Sequence, residues 1–488
     1  MLKLTRRIVA LIFLLGLTWL FLDFTGTAQS MLGWMAKLQL LPSILALNWV
    51  VVVTLLVITW LFGRIYCSVI CPLGIMQDFI SHCNKKKNHQ SYSRPLTWLR
   101  YLMLTMLILS IILGIGSLAA LLAPYSTFGR IVQNIFQPIY IYINNILAIF
   151  AERLDSYTFY HRDVWIRSMP TFVIAVISFI VIIIIAWRNG RTVCNTICPV
   201  GTVLGFISRH SCMKVKIDTD LCNNCHKCER NCKASCINSK EHKIDYSRCV
   251  VCGNCLKECS SNAITFSWIK KDKTRQSEKD NTGRREFLVG AGLALTTAAL
   301  AQERKKVDGG LAVIEDKVEP KRNTPIVPPG AASAHNLQQH CTGCQLCISK
   351  CPNDVLRPST DLLHIMQPTM NYERGYCRPE CNICSNVCPT GAIKPITLAE
   401  KSSTQIGHAV WVKKNCIPLT DGQECGNCAR HCPVGAIQMI YPNGDESKPQ
   451  IPAINETKCI GCGACEYLCP ARPFSAIYVE GHETHKLN

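Results

Sequence analysis

Four nearly unbroken apolar stretches, roughly 8–22, 41–62, 101–123 and 170–187, dominate the first part of the chain. A bilayer core takes about 20 such residues to cross, so all four predict transmembrane helices, the first and last near the short limit. Basic residues flank them unevenly. Lys3, Arg6 and Arg7 precede the first stretch. Arg64, Lys85, Lys86, Lys87, Arg94 and Arg100 lie between the second and third. Arg188, Arg191, Arg209 and Lys214 follow the fourth. Excess Lys and Arg marks cytoplasmic ends, which places the N-terminus, the 63–100 loop and the chain after 188 in the cytoplasm. The 124–168 loop then faces outward. Its middle, IVQNIFQPIYIYINNILAIF, predicts an interfacial helix; a fifth span there would invert everything downstream, against the charges.

The second and fourth stretches end in near copies of one turn. GRIYCSVICPLG, residues 63–74, and GRTVCNTICPVG, residues 190–201, align at a constant offset of 127. Gly63 matches Gly190, Arg64 matches Arg191, Cys67 matches Cys194, Cys71 matches Cys198, Pro72 matches Pro199 and Gly74 matches Gly201. An apolar hairpin precedes each copy. The unit is therefore an internal repeat of two helices and a C-x3-C-P turn, and such repeats often meet at corresponding sites. Cysteines four apart share one helical face. The two pairs supply four ligands for a shared metal site. Alternatively each pair is a redox dithiol, because a thiol near a helix start is easily ionised. The bland alternative is inert packing. A duplicated polar turn at membrane depth is costly without a role, which favours ligand or redox function and leaves both open.

Composition then sets the chemistry. The 488 residues suffice for about three domains. The formal net charge of +19 reports membrane orientation, and no aromatic-plus-basic pattern points to nucleic acid. Most of the 31 cysteines fall in C-x2-C-x2-C-x3-C runs or close variants, the spacing of iron–sulfur ligands rather than of a disulfide framework. Residues 215–268 carry Cys222, Cys225, Cys228 and Cys232, then Cys249, Cys252, Cys255 and Cys259. In two-cluster ferredoxins the fourth Cys crosses to the other cluster. One [4Fe–4S] cluster is therefore expected on Cys222, Cys225, Cys228 and Cys259. The other is expected on Cys249, Cys252, Cys255 and Cys232, with Cys236 as an alternative to Cys232. Lys233 and Ser260 replace the usual proline after each run. CNNCH, 222–226, also fits haem attachment, but the eight-cysteine pattern is the more specific. The four spans contain no histidine to ligate a membrane haem.

Residues 335–488 carry four further runs, each closed by Cys-Pro: Cys341, Cys344, Cys347 and Cys351; Cys377, Cys381, Cys384 and Cys388; Cys416, Cys425, Cys428 and Cys432; and Cys459, Cys462, Cys465 and Cys469. These predict four more clusters, six in all. Nested pairing is expected, first run with last and second with third.

Between the modules a polar linker, KKDKTRQSEKDNTG, leads into GRREFLVGAGLALTTAALAQ. Arg284 and Arg285 before a short apolar run have the form of a twin-arginine export signal; the alternative is a short linker helix. KVEPKRNTPIVPPGAA follows as a Pro-rich spacer. The expected domains are a transmembrane region at 1–214, a cytoplasmic two-cluster ferredoxin module at 215–268, a linker with the signal or anchor at 269–334, and a four-cluster module at 335–488, exported if the signal operates.

With these motifs assembled, residues 1–268 resemble the NapH-type membrane ferredoxins, relatives of NosR and CcoG, through the four spans, CSVICP, CNTICP and the eight-cysteine module. Residues 284–480 resemble the NapG/MauM ferredoxins through the twin-arginine start and the four runs, including the wide first gap in CIPLTDGQECGNCARHCP. The resemblance implies a protein that takes electrons from quinol and feeds a periplasmic reductase or dehydrogenase. Fusion in one chain departs from the family's two-subunit arrangement, so the acceptor does not carry over.

The expected fold is multi-domain: a four-helix transmembrane region of two duplicated hairpin-plus-turn units, with two α+β ferredoxin-like modules. The expected protein is a multi-pass resident of a bacterial inner membrane. It passes electrons from the quinone pool, or from a cytoplasmic donor, to a periplasmic redox partner, as a component of a quinol dehydrogenase. No nucleophile–base set, phosphate loop or flavin fingerprint is present, so substrate chemistry belongs to the partner. Asp23, Arg130 and His161, near the outer ends of the spans, are the candidate quinol contacts. The alternative, which the CcoG resemblance implies, is a maturation factor supplying electrons for metal-centre assembly.

Overall fold

The computed structural model describes residues 2–84, 91–156, 158–268 and 317–487; the twin-arginine stretch lies outside them. The N-terminal region is helical: α1 (Leu2–Leu22), α2 (Thr27–Lys37), α3 (Leu40–Leu45), α4 (Trp49–Phe62), α5 (Tyr66–Val69), α6 (Pro72–Cys83), α7 (Thr97–Ile112), α8 (Gly116–Leu122), α9 (Pro124–Ile131), α10 (Gln137–Glu152), α11 (Met169–Asn189), α12 (Thr192–Thr196) and α13 (Pro199–Ser208). By length and composition, three described helices can cross a membrane: Lys3–Leu22, Pro124–Glu152 and Met169–Asn189.

Two expected spans are interrupted. The 41–62 stretch divides because Leu47 adopts a left-handed conformation (φ 53) and Asn48 starts a new helix, its side chain accepting from the Val51 N–H at 3.4 Å. Only 14 residues remain in α4. The 101–123 stretch breaks at Gly114 (φ 70), between α7 and α8. The apolar middle of the 124–168 loop is a continuous helix of α9, a π turn at Val132–Phe136, and α10. Tyr125 packs against Phe21, and Gln137 donates to the Phe21 carbonyl at 3.3 Å. This helix therefore passes along one end of α1 instead of running beside it.

The repeat has a local explanation. Gly63 and Gly190 end α4 and α11 at φ 80 and 62, a conformation glycine adopts without steric cost. Cys71 and Cys198 then cap α6 and α13, with Pro72 and Pro199 at the first helical position, where a missing N–H costs nothing.

The first cysteine module closes on its own ends: β1 (Met213–Ile217) pairs antiparallel with β4 (Ile264–Trp268) around the β2–β3 hairpin (Ile237–Asn238, Lys243–Ile244). It docks where α4 ends. Arg64 donates to the Ser247 carbonyl at 2.8 Å, Arg100 to the Ser247 hydroxyl at 3.0 Å, and Lys233 pairs with Asp78 at 3.4 Å. The second module is built from antiparallel pairs: β5 (Leu356–Pro358) with β6 (Pro368–Met370), β7 (Thr404–Trp411) with β10 (Ile477–Leu487), and β8 (Ile437–Ile440) with β9 (Ile451–Ile454). It docks on the opposite end. Lys350 pairs with Asp23 at 2.9 Å, Arg167 with Asp354 at 3.0 Å, and Asn134 donates to Gln345 at 2.8 Å. The Pro-rich stretch, expected as a spacer, belongs to this module: Ile326 and Val327 are buried and Arg322 pairs with Glu466.

Candidate metal centres

The described cysteine runs share one backbone design. In the four C-x2-C-x2-C runs, the residues on either side of the second Cys are left-handed: Asn224 and His226, Val251 and Gly253, Gly343 and Gln345, Gly461 and Gly463. Such turns aim successive N–H groups into one concavity, which suits an anionic group. The runs at 377–388 and 416–432, with longer first gaps, lack this pair. Three residues after the last Cys, five runs place another left-handed residue: Ser235, Asn262, Asp354, Gly391 and Gly435. The N–H groups of Ala436 and Ala476 donate to the Cys432 and Cys469 sulfurs at 3.2 and 3.3 Å. Cys351 and Cys388 are extended (ψ 112 and 116), as a residue before proline must be. Cys259 adopts ψ 106 without a proline, so Ser260 leaves the loop shape intact.

Electrostatic contact between thiols defines the sets. Cys249, Cys252 and Cys255 sit with Cys232, and Cys228 with Cys222 and Cys225. Cys236 lies 3.5 Å from Cys232 and also touches Cys249. In the second module Cys341, Cys344 and Cys347 gather with Cys388, and Cys377, Cys381 and Cys384 with Cys351. Cys416, Cys425 and Cys428 gather with Cys469, and Cys459, Cys462 and Cys465 with Cys432. Fourth cysteines thus cross between the first and second runs and between the third and fourth. This corrects the nested pairing: Cys351 and Cys388 end adjacent helices, and exchange between neighbours in the chain needs no long excursion.

The sets fit a polynuclear cluster. One cavity is lined by Cys232, Cys249, Cys252 and Cys255 with Val215, Ile237 and Ile244, and another by Cys416, Cys425, Cys428 and Cys469 with Met439 and Ile477. Among the described residues, no three His, Cys, Asp or Glu side chains converge as ligands of a single ion do; a cubane spreads its thiolates over its corners. The sets also adjoin. The Cys377 N–H donates to the Cys462 carbonyl at 2.9 Å, and Cys465 is in electrostatic contact with Cys428. Nearest the helices is the Cys341 set: a Cβ on Gly129 would collide with the Cys344 carbonyl, and Tyr125 is in electrostatic contact with Cys344 and Cys388.

The two C-x3-C-P turns meet inside the helical region. Cys67, Cys71, Cys194 and Cys198 are all free and 4–8% exposed, and every pair of them is in electrostatic contact. The turns hold each other reciprocally. Arg64 donates to the Cys194 carbonyl at 3.2 Å, and Arg191 to the Cys67 carbonyl at 2.7 Å. A Cβ on Gly74 or Gly201 would strike the carbonyl of Cys67 or Cys194. Gln77 donates to the Cys194 sulfur at 3.3 Å. Asp78 binds Arg191 at 2.7 and 2.8 Å and also neighbours Arg6 and Lys233. Burial opposes its ionisation, but Arg191 outweighs that and holds its carboxyl well below the usual range. Sequence reasoning missed Gln77 and Asp78, which have no counterpart in the second repeat. It aligned Arg64 with Arg191 without giving them a role.

The three quinol candidates do not form a site. Asp23 is buried, bound to Lys350 and to the backbone N–H groups of Gly26 and Ala28. Arg130 is buried on the Ala120 carbonyl at 2.5 Å. His161 is exposed. The Asp23 carboxylate is thus occupied by protein partners, whereas Arg130 keeps a buried Nε without a partner among the described residues.

Comparison with known proteins agrees with the chemistry. A family of 4Fe-4S binding domains matches residues 45–89 and 171–218, the two repeat units. A 4Fe-4S dicluster domain matches 423–472, and a further 4Fe-4S binding domain matches 242–265. The putative electron transport protein YccM of Escherichia coli is 25% identical over 39% of this chain and 47% of its own length. An uncharacterized protein of Methanocaldococcus jannaschii, MJ0749, is 20% identical over 43% of this chain and 66% of its own. The methylamine utilization ferredoxin-type protein MauM of Methylobacillus flagellatus is 33% identical over 31% of this chain and 67% of its own length. Sharing that identity over two thirds of a MauM protein, and built around cysteine sets that suit [4Fe–4S] clusters, the chain belongs to the MauM ferredoxin-type family of iron–sulfur electron-transfer proteins.

Proposed function

We propose that this protein carries electrons across a bacterial inner membrane through six [4Fe–4S] clusters held by the cysteine runs, with the 215–268 module in the cytoplasm and the second module in the periplasm. The observation that carries this reading is the docking of the two modules at opposite ends of one helical bundle. α1 reaches both: Lys3 lies beside Gly253, and Asp23 pairs with Lys350. Its 21 residues rise about 30 Å, the thickness of a hydrocarbon core. The outward faces are apolar and exposed, with Leu11, Ile12 and Leu15 on α1, Val53 and Val57 on α4, and Ile177, Ile180 and Ile184 on α11, a surface suited to lipid. Arg6, Arg7, Arg64, Arg100 and Arg191 lie toward the first module, as cytoplasmic ends require.

Each cluster, when bound, supplies a one-electron carrier. The chain's own work is to hold these sites in series, keep water out and balance their charge. The Cys341 set adjoins the Cys377 set, that set adjoins the Cys459 set, and the Cys459 set adjoins the Cys416 set, a series that starts at the bundle and offers its far end to a redox partner. Resemblance of the two halves to NapH-type and NapG/MauM-type ferredoxins supports quinol as donor and a periplasmic enzyme as acceptor. A cavity of about 600 Å³ lies where α11 begins beneath the second module, lined by Arg167, Met169, Arg357, Asp361 and His364, a size suited to a small organic ligand. Arg167, Arg357 and His364 each keep a buried nitrogen without a partner among the described residues. Burial lowers the His364 imidazole, against the raising effect of Asp361, and so favours its neutral form. Arg167 is in electrostatic contact with Cys351, so an electron leaving this cavity is already at the second cysteine set.

The test is electron transfer into sealed vesicles. Protein is reconstituted around a trapped one-electron dye, and dithionite is added outside. The dye is expected to be reduced only when protein is present. Reduction no faster than in protein-free vesicles rules the reading out.

A further inference from the structure

We infer that Cys67, Cys71, Cys194 and Cys198 together hold one additional [4Fe–4S] cluster, shared between the two repeats and lying inside the helical bundle. Each repeat unit matches a cluster-binding family, yet each brings only two thiols to the meeting point. The third cysteine of each unit is elsewhere: Cys83 is exposed at the end of α6, and Cys212 is tied by its N–H to the Trp60 carbonyl at 2.8 Å. One four-thiolate site is all the pair can build.

Charge favours a cluster over neutral thiols. Arg64 is fully buried and, among the described residues, forms no ion pair. Its donors go to the Asn195 side chain, the carbonyls of Ser247 and Cys194, and the Cys67 sulfur at 3.8 Å. A buried cation without a counter-charge is strongly disfavoured. Four neutral thiols, like an inert packing turn, leave Arg64 with a counter-charge only on the side of the Cys249 set and none where it meets the two turns. A thiolate-ligated cubane is an anion and satisfies it. Further donors converge on the same sulfurs: Gln77 on Cys194, the Gly201 N–H on Cys198 at 3.4 Å, and the Gly74 N–H on Cys71. Cys71 and Cys198 cap the N-termini of α6 and α13, whose dipoles favour negative charge.

The position gives the site its use, which rests on the conduit reading, whereas its occupancy does not. On one side Arg64 links it to Ser247, two residues before Cys249. On the other, α6 packs against α9, and α9 meets the Cys344 carbonyl at Gly129. One buried apolar cluster joins Cys67 and Cys71 through Tyr66, Phe21, Tyr125 and Phe128 to Cys344 and Cys347. The site exchanges one electron at a time with the Cys249 set and the Cys341 set, with no bond broken, and divides the interval between them.

Iron and acid-labile sulfide are counted on the intact protein by Mössbauer spectroscopy and chemical assay. A seventh cluster gives about 28 iron atoms per chain, and its absence about 24. Cys67→Ser/Cys71→Ser and Cys194→Ser/Cys198→Ser are each expected to remove about four irons, and the quadruple variant the same four and no more. A count near 24 in the wild-type protein overturns the inference without any variant, and additive losses assign a separate centre to each repeat. Transfer into vesicles at a count of 24 leaves the conduit standing and removes only this site.

Discussion

Lys350 lies 2.9 Å from Asp23 across 327 residues of sequence, and both side chains are buried. The pair fixes the second module to the end of α1, with Lys350 also donating to the Asp23 carbonyl at 2.6 Å. Burial opposes ionisation of Asp23, but hydrogen bonds from Thr25, Lys350 and the Ala28 N–H hold its carboxyl at about 2. A carboxyl lowered in the folded state stabilises it above the unfolded value, and that stability is lost as pH falls through the folded one. Docking should therefore weaken between about pH 4 and pH 2. Asp23→Ala leaves Lys350 buried and unpaired and should cost roughly 3–5 kcal/mol, read as faster proteolytic release of the second module; an unchanged release rate removes the pair from the docking account.

A different pH window belongs to the end of β10. Among the described residues neither ring nitrogen of His485 has a partner, and burial, with His482 nearby, lowers its imidazole to about 4. The unfolded chain takes up this proton near pH 6.5 and the folded chain does not. Stability contributed at neutral pH is thus lost as pH falls from about 6.5 to 4, by roughly 3 kcal/mol. His485→Leu should flatten the denaturation midpoint over that window, and a wild-type slope in the variant assigns the effect elsewhere.

Cys236 stands 3.5 Å from Cys232 and lines the same cavity. Cys232→Ser should keep its cluster with an altered electron paramagnetic resonance signal, Cys236 taking the vacant corner. Cys232→Ser/Cys236→Ser should lose about four irons. Loss already in the single variant makes Cys232 irreplaceable.

Gly201 brings α13 against the Cys194 carbonyl, where a Cβ has no room. Gly201→Ala should destabilise the fold by roughly 1–3 kcal/mol through overpacking. The equivalent Gly74→Ala should do the same, because both glycines face a carbonyl of their own repeat. Unequal melting shifts for the two variants argue against equivalent turns.

The cysteine runs were legible because their ligands are local: three or four thiols within a dozen residues define a loop whatever surrounds it. The exchange of Cys351 and Cys388 was not, because it depends on which loops adjoin in space. Hydropathy marked every apolar stretch but passed over single-residue breaks at Leu47 and Gly114, whose conformation costs the average nothing. A polar residue at a span's end reads the same in sequence whatever it meets, so the contacts of Asp23 with Lys350 and of Arg130 with the Ala120 carbonyl were not legible there. The repeat pointed correctly to a meeting of the two turns. What it lacked was Asp78, which has no partner in the second copy and is recognisable only once Arg6, Arg191 and Lys233 surround it.

A path through the bundle requires the two modules to lie on opposite faces of the membrane. Intact spheroplasts and inverted membrane vesicles are treated with protease, and fragments are followed with antibodies to each module. The second module should be cut only in spheroplasts and the 215–268 module only in inverted vesicles. Cleavage of both modules in the same preparation, with the other protected, would place all the cysteine runs on one face and contradict a path through the bundle.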